Sequence, residues 1–233
     1  MVSGSGGSRE RGKTGARRSQ IIEATIETLA EHGFAQTTFA RIRARGELSS
    51  TRLISYHFAS KAHLIQAVLD YIYQSIDDFL LTRTAVDPAS RPIRGPLEGP
   101  PPPPADSAAA ELRAYINGVV AYVGDHRARM RALQTIFAAL HDEPDEPLVS
   151  QTDPAGTVMG YLIALLERGQ RSGEFRTFNP LVLGTMIQSS LAALPDILTH
   201  QPRLDLPAFA RELTAAVELA TREVGAGQEH SGR

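Results

Sequence analysis

TTFARIRARGELSSTRLISYHFASKAHLIQAV, residues 37–68, decides the fold of this chain. It reads as two short helices joined by a tight turn, followed by a third helix. Gly46 is placed just past the first short helix, where a left-handed residue is often needed. Ser49, Ser50 and Thr51 supply hydroxyls where the second helix should begin, the position that favours N-cap residues. That helix carries Arg52, Tyr56 and His57 against an apolar side of Leu53, Ile54 and Phe58. Such a helix packs on one face and offers donors on the other, as the second helix of a helix-turn-helix does in a DNA major groove.

The flanking residues extend the pattern. RSQIIEATIETLAEHGF (18–34), TTFARI (37–42), SYHF (55–58) and SKAHL (60–64) follow one another in order. Together they make residues 17–68 resemble the DNA-binding domain of the TetR family of bacterial transcriptional regulators. Two departures stand out. From Ile42 to Phe58 the chain is one residue longer than the family pattern, an excess expected near Ser50 to Arg52, and Glu47 stands where glycine is usual. The resemblance implies a phosphate contact at Lys61, a homodimer built on a four-helix interface, and a roughly palindromic operator.

Composition sets the outer limits. A length of 233 residues and a 42% hydrophobic fraction suit one or two folded domains, and the absence of cysteine excludes disulfides and thiolate metal sites. The basic N-terminus lacks an apolar core of its own, so no signal peptide is expected, and no run of eighteen apolar residues suggests a membrane span. A cytoplasmic protein is the expectation. Residues 1–63 hold ten Lys and Arg against five Asp and Glu, whereas the remainder holds fourteen against twenty-one, leaving a net charge of −2. A basic front on an acidic body suits nucleic acid.

In chain order, residues 1–16 (MVSGSGGSRERGKTGA) are expected to form a disordered basic arm, since they lack apolar residues to bury. It could track a phosphate backbone or enter a minor groove, or serve only to solubilise the chain. Residues 17–32 read as a helix with Ile22, Ile26 and Leu29 inward and Glu23, Glu27 and Glu31 outward, ended by Gly33. Thr38 is the expected cap of the next helix, with Arg41 three residues on and Arg43 and Arg45 adding charge. Ser60 should cap a fourth helix running to about Arg83. Residues 84–106 contain eight of the fifteen prolines and read as a linker. From residue 107 to about 226 helical periodicity returns, with Gly124 separating two helices, Asn179-Pro180 opening another, a break near Pro195 and Gly225 closing the last. The expected fold is all-α, about nine helices. An N-terminal helix-turn-helix domain (17–68) precedes a C-terminal helical domain for ligand binding and dimerisation (107–226).

Catalytic patterns are missing: there is no GxSxG, phosphate-binding glycine loop or HExxH, and the histidines show no metal-ligand spacing. Glu143, Asp145 and Glu146 cluster in a proline-bounded loop that reads as a solvated turn. No enzyme, cofactor or metal is therefore expected, and the site should work by binding. The leading expectation is a DNA-binding repressor released by a small-molecule effector. The alternative is an all-helical enzyme or interaction module whose helix-turn-helix resemblance is incidental.

The residues divide into three sets. Thr38, Tyr56, His57 and Lys61 are expected to face phosphates. Ser50, Thr51 and Arg52 are expected to face base edges, with Arg52 matched to guanine; Ser49 and Ser55 remain in contention, and Arg43 could contact either. Tyr115, Asn117, Tyr122, Met130, Gln134, Phe137, Tyr161 and Gln188 mix aromatic surface with isolated donors, which suits a mostly apolar effector pocket without buried charge. Leu183, Ile187, Leu191 and Leu194, with Phe209, Leu213 and Val217, form the expected dimer stripes, where Gly184, Ser190, Ala192 and Ala193 would allow close approach.

Overall fold

The computed structural model describes residues 6–83, 107–142 and 154–222. The Pro-rich segment, the Glu143–Asp145–Glu146 cluster and Gly225 lie outside these residues. The described residues form ten helices and no strand: α1 (Gly6–His32), α2 (Phe39–Arg45), α3 (Thr51–His57), α4 (Lys61–Arg83), α5 (Ala108–Asp125), α6 (Arg127–Asp142), α7 (Pro154–Arg171), α8 (Pro180–Ala192), α9 (Leu194–His200) and α10 (Leu206–Thr221). The tenth helix arises where the chain breaks at Ala193, one residue before Leu194-Pro195 reopens a helix with proline in its first turn.

The chain divides into two compact units. The first comprises α1 to α3, α4 as far as Ser75, and α6; the second comprises the rest of α4, α5 and α7 to α10. The placement of α6 differs from the sequence expectation, which grouped all helices after residue 107 together. Helix α6 packs along α1 instead.

In the first unit, Ile21, Ile22, Ile26 and Leu29 of α1 are fully buried, together with Ile42, Ile54, Leu64, Ile65, Val68, Leu69 and Ile72. Burying α1 on two sides explains its polar details. The Thr25 and Thr28 hydroxyls, both buried, donate to the carbonyls of Ile21 and Ala24 at 2.7 and 2.6 Å. Glu23, expected to face solvent, accepts from Tyr71 Oη of α4 at 2.5 Å and from Arg129 of α6 at 2.7 Å. Gly33 ends α1 in the left-handed conformation at φ 78°, as the C′ position requires. The start of α1 departs from expectation: helix begins at Gly6, so residues 6–16 of the expected disordered arm are helical.

In the second unit, α5 lies against α10 and α7, and α7 packs on α8. Ile116, Tyr122, Val123, Leu162, Leu166 and Leu194 are completely enclosed. Asn179 caps α8 by accepting from the Leu181 N–H at 3.0 Å, with Pro180 at the first helical position. Asp205 caps α10 in the same way through the Ala208 N–H at 2.9 Å. Gly124 lies within α5 rather than between helices; a Cβ there would meet Leu206 Cδ1 at 2.7 Å, so glycine lets α5 approach the start of α10. Pro180–His200 is long and apolar enough to cross a membrane by composition, with a mean hydropathy of 1.5, yet its inward residues belong to this helical core.

Candidate nucleic-acid interface and candidate ligand site

Helix α2 starts where Thr38, in extended conformation, accepts from the Arg41 N–H at 3.3 Å. The Arg41 guanidinium donates to the Gln36 carbonyl at 2.9 Å. Five residues link α2 to α3. Gly46 has an ordinary φ of −85°, so the expected left-handed residue is not here. That conformation belongs to Glu47, at φ 49°. Gly46 is needed for space: a Cβ would lie 2.9 Å from Ala24 Cβ and 3.3 Å from the Ile42 carbonyl. Gln20 of α1 donates to the Gly46 carbonyl at 2.9 Å, fixing the turn against α1, a contact the sequence did not signal.

Ser50 occupies the cap position of α3 in extended conformation, without a side-chain cap bond. Ile54 (0% exposed) and Phe58 (4%) anchor α3 from below, and Leu48 (3%) anchors the turn. The opposite face is open. Thr38, Arg43, Ser49, Thr51, Arg52, Ser55 and Tyr56 are exposed, the last to 79%, while Ser50, His57 and Lys61 are half-buried. All ten nominated DNA-facing residues therefore lie on the helix-turn-helix or at the start of α4, and none lies in the core. Arg45 is turned elsewhere: it pairs with Glu31, with Glu27 at 3.9 Å, and does not add a free cation to this face.

The start of α4 is capped by Ser60, whose hydroxyl accepts from the His63 N–H at 3.1 Å. Lys61 Nζ donates to the Phe34 carbonyl at 3.4 Å and lies 4.4 Å from the Phe34 ring centroid. The ammonium is thus held where α1 ends and α4 begins, with donors to spare. Arg18 of α1 stacks over Phe58, 5.2 Å from its centroid, bringing another guanidinium beside the end of α3. A half-buried helix with rigid backing, exposed donors and flanking cations can lay its outer face in a major groove while its neighbours hold phosphates.

The nominated ligand residues do not form one set. Met130, Gln134 and Phe137 stand on α6 in the first unit. In the second unit Tyr115 and Tyr161 pack with centroids 5.5 Å apart, and Tyr115 Oη donates to Gln188 at 3.4 Å. Tyr122 pairs edge-on with Phe79, and exposed Asn117 donates to its own helix at the Arg113 carbonyl. None of the eight nominated residues is charged, but a buried charge adjoins one of them. Glu111, with a side chain 0% exposed, accepts from Tyr161 Oη at 2.8 Å and pairs with Arg168. Its signal was present in the sequence, because Glu111 falls on the α5 stripe four residues before Tyr115.

The residues of the expected dimer stripes differ in exposure within the single chain. Leu183, Ile187, Leu191, Leu194 and Val217 are buried within their own unit, and Phe209 and Leu213 are half-buried. Period and composition did not say which residues of these helices faced inward. The apolar residues left open on the same helices are Leu181, Val182, Met186 and Leu219, each more than half exposed.

Among the described residues, fold and site define an all-helical architecture that carries a helix-turn-helix with an open outer face. Residues 21–68 match the sequence profile of the tetR family of bacterial regulatory proteins. The chain is 34% identical over 85 residues to the HTH-type transcriptional regulator BetI 1 of Chromohalobacter salexigens, a stretch covering 36% of this chain and 42% of that one. The chain therefore spans less than half the length of that relative. The fold extends further. A bacterial regulatory protein of the tetR family from Rhodococcus RHA1 matches with a TM-score of 0.68 at 18% identity, covering 88% of this chain and 96% of the other. AibR, solved in complex with isovaleryl coenzyme A and operator DNA, matches with a TM-score of 0.65 at 14% identity, covering 88% and 100%.

Proposed function

We propose that the chain is a sequence-specific DNA-binding transcriptional regulator, a cytoplasmic repressor that works as a homodimer and leaves its operator when a small-molecule effector binds. The observation that carries this reading is α3: a rigidly backed seven-residue helix with Thr51, Arg52, Ser55 and Tyr56 all open to solvent. In this reading Arg52 reads a base edge and Lys61 holds a phosphate. Leu181, Val182, Met186 and Leu219 meet a second copy by two-fold symmetry. The effector would be taken up in the C-terminal helical unit and would favour a conformation with the wrong half-site spacing. AibR, seen with both a small molecule and operator DNA, supports the pairing of the two ligands.

The test uses a duplex selected by the chain from a random pool, alongside a scrambled duplex of the same composition. Arg52→Ala should cost about 1–3 kcal/mol on the selected duplex and little on the scrambled one. Lys61→Ala should weaken both and lower the salt slope by about 0.9. Equal losses on both duplexes for Arg52→Ala would remove it from base reading, and failure of the wild type to select any duplex would sink the regulator reading. A monomer in sedimentation at micromolar concentration would remove the dimer, and effectors that bind without changing DNA affinity would remove the switch.

A further inference from the structure

Helix α1 starts twelve residues ahead of Arg18, in a stretch with little reason to be helical on its own. Residues 6–16, GGSRERGKTGA, contain four glycines and no large apolar side chain. Each glycine costs about 1 kcal/mol relative to alanine in a helix. Arg9, Lys13 and Arg17 recur four residues apart, a spacing at which like charges repel, and cations in a first turn oppose the helix dipole. Between residues 6 and 18 there are five Lys and Arg against one Glu. A polyanion that neutralised these charges would stabilise such a helix.

Its position indicates which polyanion. Exposed Arg18 lies over Phe58 at the end of α3, and Gln20, which accepts from exposed Arg17 at 2.7 Å, is bonded to the turn at Gly46. The cationic stretch is therefore continuous with the candidate DNA interface. Twelve residues of helix extend about 18 Å, equivalent to about five base-pair steps.

We infer that residues 6–18 form a phosphate-tracking extension of α1, which lies along the duplex backbone outside the half-site and extends the footprint without reading sequence. This rests on the DNA-binding reading above and adds a contact that the helix-turn-helix does not supply. Of the readings the sequence left open for this arm, it takes the phosphate-tracking one over the solubilising tail.

The experiment compares the full-length wild type with the combined variant Arg9→Gln, Arg11→Gln, Lys13→Gln, on a 40-bp duplex selected by the wild type and on its scrambled counterpart. The slope of log affinity against log salt should fall by about 2.7 for the variant if each cation neutralises one phosphate. The fall should be the same on both duplexes, and the preference between them should not change. The wild type should gain helical circular dichroism at 222 nm on adding scrambled DNA, and the variant should not. A second variant, Arg9→Lys, Arg11→Lys, should keep the wild-type slope. Trimming five base pairs from each end of the selected duplex should weaken the wild type and spare the glutamine variant. If the wild type selects a duplex but the glutamine variant keeps its slope, the extension does not contact DNA and this inference is overturned while the regulator reading stands. If the wild type selects nothing, that reading falls with it.

Discussion

Each unit contains one carboxylate that joins a tyrosine and an arginine across helices, but the two clusters differ in solvent access. In the first unit Glu23 bonds Tyr71 and Arg129, with Arg129 also 5.2 Å over the Tyr71 ring; the carboxylate side chain is 38% exposed and the arginine 20%. In the second, Glu111 bonds Tyr161 and Arg168, and here the carboxylate is fully enclosed while the arginine is 33% exposed. The hydrogen-bond chemistry is the same, but the consequences of losing the arginine are not. Water can reach Glu23 when Arg129 is removed. Glu111 has no exposure of its own, so it would meet only the water that enters the space the Arg168 guanidinium vacates. An ion pair contributes little beyond its own desolvation, whereas stranding one buried partner is expensive.

The largest expected effect follows from this contrast. Arg168→Ala should destabilise the chain by about 3 kcal/mol, at the lower end for a broken buried pair because Tyr161 still donates to the carboxylate. Arg129→Ala should cost about 1–2 kcal/mol, partly from its lost stacking on Tyr71. Urea midpoints of the two variants test the comparison directly, and similar losses would mean that solvent access does not separate the clusters. Glu111→Gln with Arg168→Met should recover much of the Arg168→Ala loss, since no charge is then left enclosed.

The contrast also explains what the sequence could reveal. The helix-turn-helix was legible because its determinants are local: Thr38 as a cap, Gly33 as a stop, and Ile54 and Phe58 four residues apart on a short helix. The borders of α4 and α8 were legible for the same reason, through Ser60 and Asn179-Pro180. The polar clusters were not, because Glu23 is 106 positions from Arg129 and Glu111 is 57 from Arg168, and spacing says nothing about partners so distant. The same limit applies to the faces of α8 and α10. Their periodicity does not say which residues face inward, and only packing against α7 and α5 decides that Ile187 and Val217 go inward while Met186 and Leu219 remain outside.

A smaller effect is expected at a third carboxylate, this one near the surface. Glu174, after α7, accepts from the N–H groups of Ala108 and Ala109 at 3.0 and 3.1 Å, from the Ser107 hydroxyl, and from Ser172 at 2.9 Å. It caps α5 from outside that helix. Partial burial alone would raise its pKa, but the hydrogen bonds from Ser107, Ala108, Ala109 and Ser172 outweigh it and bring the value from 4.5 to about 2. A depressed carboxylate stabilises the fold above its unfolded pKa and loses that contribution as pH falls through the folded one. The stabilisation should therefore be complete above about pH 5 and should fade between pH 4.5 and 2. Glu174→Ala should cost about 1 kcal/mol at pH 7, the usual value of a helix cap. The difference in stability between wild type and variant should shrink as the pH is lowered to 2; a difference that stays constant across that range would show that the carboxylate charge is not what caps α5.

The smallest effect concerns the turn between α2 and α3. Glu47 is the one non-glycine residue with positive φ among the described residues, at 49°. A left-handed conformation costs an L-residue about 1–2 kcal/mol. Glycine removes that strain but adds about 0.5–1 kcal/mol of unfolded-chain entropy. The two terms nearly cancel, so Glu47→Gly should stabilise the chain by about 0.5 kcal/mol. Glu47→Ala removes the carboxylate but keeps the strain, so it should give no such gain. The pair also separates backbone from charge in DNA binding. Glu47 is exposed on the link that leads into α3, and its carboxylate would repel a nearby phosphate. If charge matters there, Glu47→Ala and Glu47→Gly should tighten scrambled and selected duplexes alike. If Glu47→Gly is less stable than Glu47→Ala, the strain assigned to this position is absent, and the turn tolerates glutamate because its geometry is relaxed.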